Sequence, residues 1–246
     1  MSAFILGSTG LIGGQIVRYL ANSPTYKTLY PITRRDDFRL DSRITNLVDK
    51  NPDNWPDFIS SHPEVTTLIS ALGTREVSRN SRKAKVLNKV DYGINYSIAR
   101  VAKENGVKTL ILISRENANP YSLSDFVRTK GELERDLKNL GFEHTVIIRV
   151  RMVFPRKEGQ IGWQNTLGEW LSRMSRNPLV LRSGNYPCMD VDVARIVVDF
   201  AEKAESGQLE NRVTVVEPWE IVDMADQLID TAEKLADIPE DLSSIS

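Results

Sequence analysis

The stretch Ala3-Phe4-Ile5-Leu6-Gly7-Ser8-Thr9-Gly10-Leu11-Ile12-Gly13 decides how this chain folds. Four apolar residues in a row make a strand covered on both faces, as in a parallel sheet. They run into three glycines spaced three apart, and a helical pattern from Leu11 to Leu20 begins at once. Gly7 permits a tight turn, Gly10 lets a pyrophosphate approach the backbone, and Gly13 lets the helix pack on the strand. The helix start then offers free N–H groups and the positive end of its dipole to an anion. A glycine trio alone is weak evidence. Between a first strand and a helix it points to dinucleotide binding.

Outward from this turn, short apolar runs alternate with segments of helical period. Strands are predicted at Thr28–Thr33, Ile44–Val48, Thr67–Ser70, Thr109–Ile113 and Thr145–Arg149, with a last one at Arg212–Val216. Val90, Ile94, Ile98 and Val101 form one apolar stripe on a helix closed by Gly106, and Leu133, Leu137 and Leu140 form another before Gly141. Further helices are expected around Trp170, over Asp190–Ala204 and over Trp219–Ala236, the last with an acidic, solvated face. Val153–Trp163, with Pro155, Gly159 and Gly162, reads as a loop. Alternation of this kind implies an α/β fold: a doubly wound parallel sheet with right-handed crossovers and a small C-terminal elaboration. Residues 1–246 read as one domain, with 150–246 covering the substrate side.

Composition narrows the function classes. Of 246 residues, 32 are basic and 33 acidic, so the net charge of -1 provides no global field for nucleic acid. No apolar run approaches the roughly 20 residues of a membrane span. The first apolar stretch runs straight into a glycine turn, unlike a secretory signal. One cysteine, Cys188, excludes an internal disulfide, and two histidines, His62 and His144, are too few for a histidine-rich metal centre. The compartment expected from this is reducing and cytoplasmic.

The residues just after the second strand select the dinucleotide. NAD sites place an acid there for the adenosine ribose 2′-hydroxyl, whereas NADP sites need positive charge for the 2′-phosphate. This chain has Thr33-Arg34-Arg35, whose guanidinium forks suit phosphate oxygens. NADP(H) is therefore favoured, although Asp36 and Asp37 put acids within one or two residues of the same point.

These residues resemble the short-chain dehydrogenase/reductase superfamily in its atypical branch. More narrowly, the chain is similar to a family of fungal mitochondrion-associated Rossmann proteins related to the animal Tat-interacting oxidoreductase-like protein. The resemblance runs to about residue 225. Its motifs are Gly7-Ser8-Thr9-Gly10-Leu11-Ile12-Gly13, Thr33-Arg34-Arg35, Asp49, Ser70-Ala71-Leu72-Gly73-Thr74, Lys130-Gly131-Glu132-Leu133-Glu134 and Gly141-Phe142-Glu143-His144-Thr145. It implies that Asp49 meets the adenine edge, that Ala71, Leu72 and Gly73 line the ribose and nicotinamide side, and that Lys130 holds ribose hydroxyls. It also implies a peripheral position on the mitochondrial outer membrane.

The chain departs from the family where chemistry would occur. Enzymes of the superfamily use a tyrosine four residues before the lysine and a serine after strand five. Here those positions are Phe126 and Arg115, and the Arg-Pro-Gly after strand six is Arg149-Val150-Arg151. A phenyl ring has no proton to give, so a step worth about 100- to 10,000-fold has no agent there. Two substitutes stand nearby, Ser114 and Tyr121, the latter nine residues before Lys130 on a loop. The residues point to a cofactor-binding protein with no catalytic residue of the usual kind, acting as sensor or scaffold. The alternative is a working NADPH-dependent oxidoreductase on a small carbonyl substrate with a non-standard proton donor.

The segment 75–89 carries Arg75, Arg79, Arg82, Lys83, Lys85 and Lys89 against Glu76 alone. It reads as a solvated charged loop or as a contact for a protein partner or an anionic membrane surface. Nucleic acid is not expected, since no reader motif and no interleaved aromatics accompany the charge.

Overall fold

The computed structural model describes residues 1–36, 42–74, 88–155 and 187–236. Strand β1 (Ser2–Leu6) lies in the interior of a parallel sheet, with a strand on either side, and is fully buried. It leads into α1 (Leu11–Asn22), and then β2 (Thr28–Thr33) and β3 (Leu47–Val48) extend the sheet to one side. A short turn at Pro52–Asn54 introduces α2 (Trp55–Ser60). Strand β4 (Thr67–Ser70) returns to the other side of β1. A π-helical turn, Asn88–Ile94, continues into α3 (Asn95–Glu104), and then come β5 (Thr109–Arg115), α4 (Asp125–Asn139) and β6 (His144–Val150). Beyond these lie β7 (Met152–Phe154), β8 (Pro187–Met189), α5 (Asp190–Glu205), β9 (Val213–Val216) and α6 (Pro218–Ala236).

The sheet order is β3-β2-β1-β4-β5-β6-β9, every pair parallel. Alternate residues of β1 feed two cores. Ala3 and Ile5 pack with Ile16 and Leu20 of α1 and Val193 and Val197 of α5, while Phe4 and Leu6 pack with Trp55, Ile98 and Leu133 of α2, α3 and α4. Helices on both faces make the sheet doubly wound. Strand order reverses direction between β1 and β4, the point where such sheets hold ligands beyond their carboxyl ends.

Some expected elements differ. The third strand shrinks to Leu47–Val48, and Ile44 contributes only an isolated bridge to Leu29. The loop expected from Val153 begins instead as β7, whose Met152–Phe154 pairs in parallel with Pro187–Met189 of β8. Pairing with a distant segment supplies the hydrogen bonds that the local sequence did not suggest. The chain after residue 150 contributes to the main body as well: β9 pairs with β6, and α5 lies in the core against α1. The helix expected around Trp170 falls outside the described residues.

Candidate functional site

Each glycine of the opening turn has its own geometric reason. Gly7 has φ 72°, and a Cβ there would meet the Ala71 carbonyl oxygen at 2.5 Å. A Cβ on Gly13 would lie 2.1 Å from the Gly7 oxygen, so the helix is docked on the turn at a distance only glycine allows. Gly10 is different: its Cβ would meet only the Gly7 oxygen, at 3.1 Å. It opens α1 with no side-chain cap, so the first-turn N–H groups face outward for an anion. Beside them Ser8 Oγ is buried and, among the described residues, has no hydrogen-bond partner. A buried hydroxyl without a partner is costly unless a ligand completes it.

An open cleft joins Gly7, Ser8 and Thr9 to Ile32 and Thr33, to Arg34 and Arg35, and to Trp55 and Leu72. Both arginines are exposed at the end of β2. Asp36 is turned to Asn46, whose side-chain amide donates to it at 2.8 Å, and it does not line the cleft. Asp37 lies outside the described residues. Of the remaining glycine-turn positions, Leu11 is exposed away from the cleft, Ile12 packs on the core and Gly13 is the docking point.

Asp49 is occupied by its own turn. Its carboxylate accepts from the Asn51 N–H at 2.7 Å and the Asn54 amide at 2.9 Å. These bonds, Asn54 first, hold its carboxyl below the ordinary range. Its carbonyl takes the Trp55 indole N–H at 3.0 Å, which fixes the ring that walls the cleft. Asp49 therefore meets the cleft only through Trp55, and its own carboxylate is not in the lining.

The turn after β4 is held from below. Ala71 backs Gly7, and Leu72 lines the cleft. Asn95 accepts from Ser70 Oγ and donates to the carbonyls of Leu72, Val90 and Asp91, each at 3.2 Å. Gly73 is pressed against a buried ion pair, and a Cβ there would lie 3.0 Å from Lys130 Nζ and 3.1 Å from Asp91 Oδ1.

One face of α4 carries Phe126, Lys130 and Glu134 at four-residue spacing, each met by a different element. Phe126 lies under the Arg115 guanidinium, 4.9 Å from the ring centroid, so the two residues replacing tyrosine and serine touch each other. Lys130 Nζ is 2.6 Å from Asp91 Oδ1. Glu134 accepts from Ser114 Oγ at 2.5 Å and receives Arg149 through two bonds, at 3.1 and 2.6 Å. Arg149 also donates to Glu217 at 2.6 Å, which ties α4 and β6 to the acid just before α6. These carboxylates, Glu134 above all, hold the Arg149 guanidinium above its ordinary value. Tyr121 is 84% exposed on the loop before α4.

A family model described as HIM1 matches residues 38–150. The mitochondrial protein FMP52 of Candida albicans is 36% identical over 93% of this chain and 100% of its own. The chain belongs to the FMP52 family. Its Saccharomyces cerevisiae member, likewise named mitochondrial, is 28% identical over 93% of this chain and 98% of its own length. Among solved structures, MoeE5 in complex with UDP-glucuronic acid and NAD superposes with a TM-score of 0.63 at 14% identity, covering 94% of this chain and 83% of that one. WbmH of Bordetella bronchiseptica, in complex with NAD+, gives 0.60 at 16% identity, covering 97% and 83%. At such identities the likeness establishes the fold alone, a Rossmann fold.

The FMP52 relatives correct one expectation. They are named mitochondrial proteins, which overturns the cytoplasmic compartment inferred from composition. A neutral, cysteine-poor composition reports redox conditions and not an address. Within the basic segment, Arg75, Arg79, Arg82, Lys83 and Lys85 lie outside the described residues, while Lys89 pairs with Asp53 at 3.4 Å.

Four residues of this FMP52-family site are not apparent from sequence patterns: Trp55, Asp91, Asn95 and Glu134 as a partner of Arg149. For Trp55 the available signal is Asn51-Pro52 opening a helix. For Asp91 and Asn95 it is a polar pair at four-residue spacing running beside the apolar stripe.

Proposed function

We propose that this protein binds NADP(H) in the cleft between β1, β2 and β4, and that it works as a cofactor-responsive sensor or scaffold without tyrosine-dependent proton transfer. The carrying observation is the convergence on one cleft of the uncapped helix start, the unpartnered Ser8 hydroxyl and the exposed arginines just after β2. Gly7 to Thr9 and the α1 N–H groups would take the diphosphate, Arg34 and Arg35 the 2′-phosphate, and Lys130 the nicotinamide ribose. When bound, the dinucleotide supplies a hydride donor or acceptor; the chain supplies its binding and orientation.

Loss of chemistry is supported by the side chains at the proton-donor positions. Phe126 and Arg115 stack on each other. Ser114 has its hydroxyl committed to Glu134, and Tyr121 points into solvent, which weakens the alternative of an active carbonyl reductase. By the names of its relatives, the protein acts in association with mitochondria.

Calorimetric titration tests the binding. NADPH is expected to bind more tightly than NADH, and Arg34→Ala with Arg35→Ala to remove about tenfold or more of the NADPH affinity while leaving NADH unchanged. A carbonyl panel monitored by cofactor absorbance tests the chemistry: Phe126→Tyr with Arg115→Ser should gain turnover that the natural chain lacks. Absence of heat with NADPH would refute the binding, and native turnover abolished by Tyr121→Phe would refute the sensor reading.

A further inference from the structure

Asp91 and Lys130 form a pair whose side chains are 0% and 7% exposed, an unusual burial for two charges. Removing both from water costs several kcal/mol per ion, so such pairs are a poor means of stabilising a fold. This one stands at the carboxyl ends of the strands, immediately under the Leu72-Gly73-Thr74 turn that borders the cleft. Its surroundings are built to fix it. The Thr74 N–H donates to both carboxylate oxygens of Asp91, at 3.1 and 3.0 Å, and the Thr74 hydroxyl donates to Oδ2 at 2.5 Å. The π-helical turn widens the backbone at Asp91, and the Asn95 amide takes the carbonyls of Val90 and Asp91. Turns of this rare kind recur at functional sites.

Asp91 has thus spent its acceptor capacity on Thr74 and Lys130, and it has no room to touch a ligand itself. Lys130 is the opposite case. Its ammonium has three hydrogens, and among the described residues Asp91 is its one partner. It is pressed against Gly73, where any Cβ would crowd both charges. A lysine on a flexible four-carbon stem normally samples several rotamers, which binding must freeze. In this chain Phe126 has no hydroxyl to help hold it.

We propose that Asp91 is a positioning residue for the nicotinamide half of the dinucleotide: it fixes the Lys130 ammonium beside Gly73, leaving its other N–H bonds aimed at ribose hydroxyls. The inference rests on the NADP(H) reading and deepens it. Asp91 acts on the ligand only through Lys130, and that dependence is measurable.

The experiment compares NADPH with adenosine 2′,5′-bisphosphate, which keeps the adenosine ribose and its 2′-phosphate but lacks the nicotinamide ribose. Lys130→Met should weaken NADPH about tenfold or more and change the bisphosphate by less than about twofold. Asp91→Asn should do the same, and Asp91→Asn with Lys130→Met should be no worse than Lys130→Met alone. Two residues acting as one unit are non-additive. Equal weakening of both probes by Asp91→Asn, or losses that add in the double variant, overturns the proposal. Should Asp91→Asn alone fail to fold, the double variant, which leaves no unpaired cation, carries the same comparison. Wild-type protein that binds NADPH with an affinity left unchanged by Asp91→Asn overturns the positioning role alone. Protein that binds neither probe overturns the underlying reading as well.

Discussion

Replacing Gly13 by alanine separates the two jobs of the opening turn. The new Cβ would sit 2.1 Å from the Gly7 carbonyl oxygen, 2.7 Å from its carbon and 3.0 Å from Ser8 Cα, all backbone atoms that no rotamer change can move. Reaching an ordinary contact of 3.4 Å requires a shift of about 1.3 Å between α1 and the turn, in a region where Ile16, Val17 and Leu20 are already fully packed. Overpacking of this kind costs about 1–3 kcal/mol, and rigid backbone on both sides puts this case at about 2–3. For a domain of this size that lowers the thermal midpoint by roughly 5–10 °C. Gly10→Ala is the control. Gly10 has φ −82°, open to any residue, and its Cβ would meet a single oxygen at 3.1 Å. Its stability loss should stay within about 1 kcal/mol, yet NADPH binding should fall because a methyl group then faces the pyrophosphate. Thermal denaturation with and without NADPH reads both effects. Equal midpoints for Gly13→Ala and wild type, or equal losses in the two variants, would refute the assigned roles.

Two further outcomes are expected. Glu134→Ala leaves Arg149 with Glu217 as its remaining carboxylate and Ser114 without its acceptor, so stability measured by urea unfolding should drop by about 2 kcal/mol; a loss below about 0.5 would show that Glu217 and solvent compensate. Burial pushes the Cys188 thiol up to about 12. It should therefore stay unreactive to Ellman's reagent at pH 8 until the chain unfolds. The neutral thiol contributes its full stability below the ordinary value near 9, and that contribution is lost as pH rises from there through about 12, so Cys188→Ala should flatten the alkaline limb of the stability profile.

Much of the architecture is legible in local patterns. Continuous apolar runs mark β1, β2, β4, β5 and β6, because strands buried on both faces cannot alternate with polar residues. The glycine turn is legible because its constraint is local: a positive φ at Gly7 and a close helix docking at Gly13. Pairings between distant segments are not. The β7–β8 ribbon joins Met152 to Pro187 and neighbours, and nothing in either stretch names the other. Asp49 looks like a ligand contact by family pattern, but the nearby Asn51 and Asn54 claim its carboxylate.

By itself, the sequence determined the doubly wound order of strands and helices, the glycine turn, the pair of arginines after β2 and the phenyl ring of Phe126 four residues before Lys130, since each is written in residues close along the chain. Tertiary structure alone decided which charges meet. Lys130 finds Asp91, Arg149 finds Glu134 and Glu217, and Arg115 finds Phe126 only because the sheet brings the ends of β4, β5 and β6 together beneath one face of α4. Side chains separated by tens of residues interact over a few ångströms, and only the folded packing sets those distances.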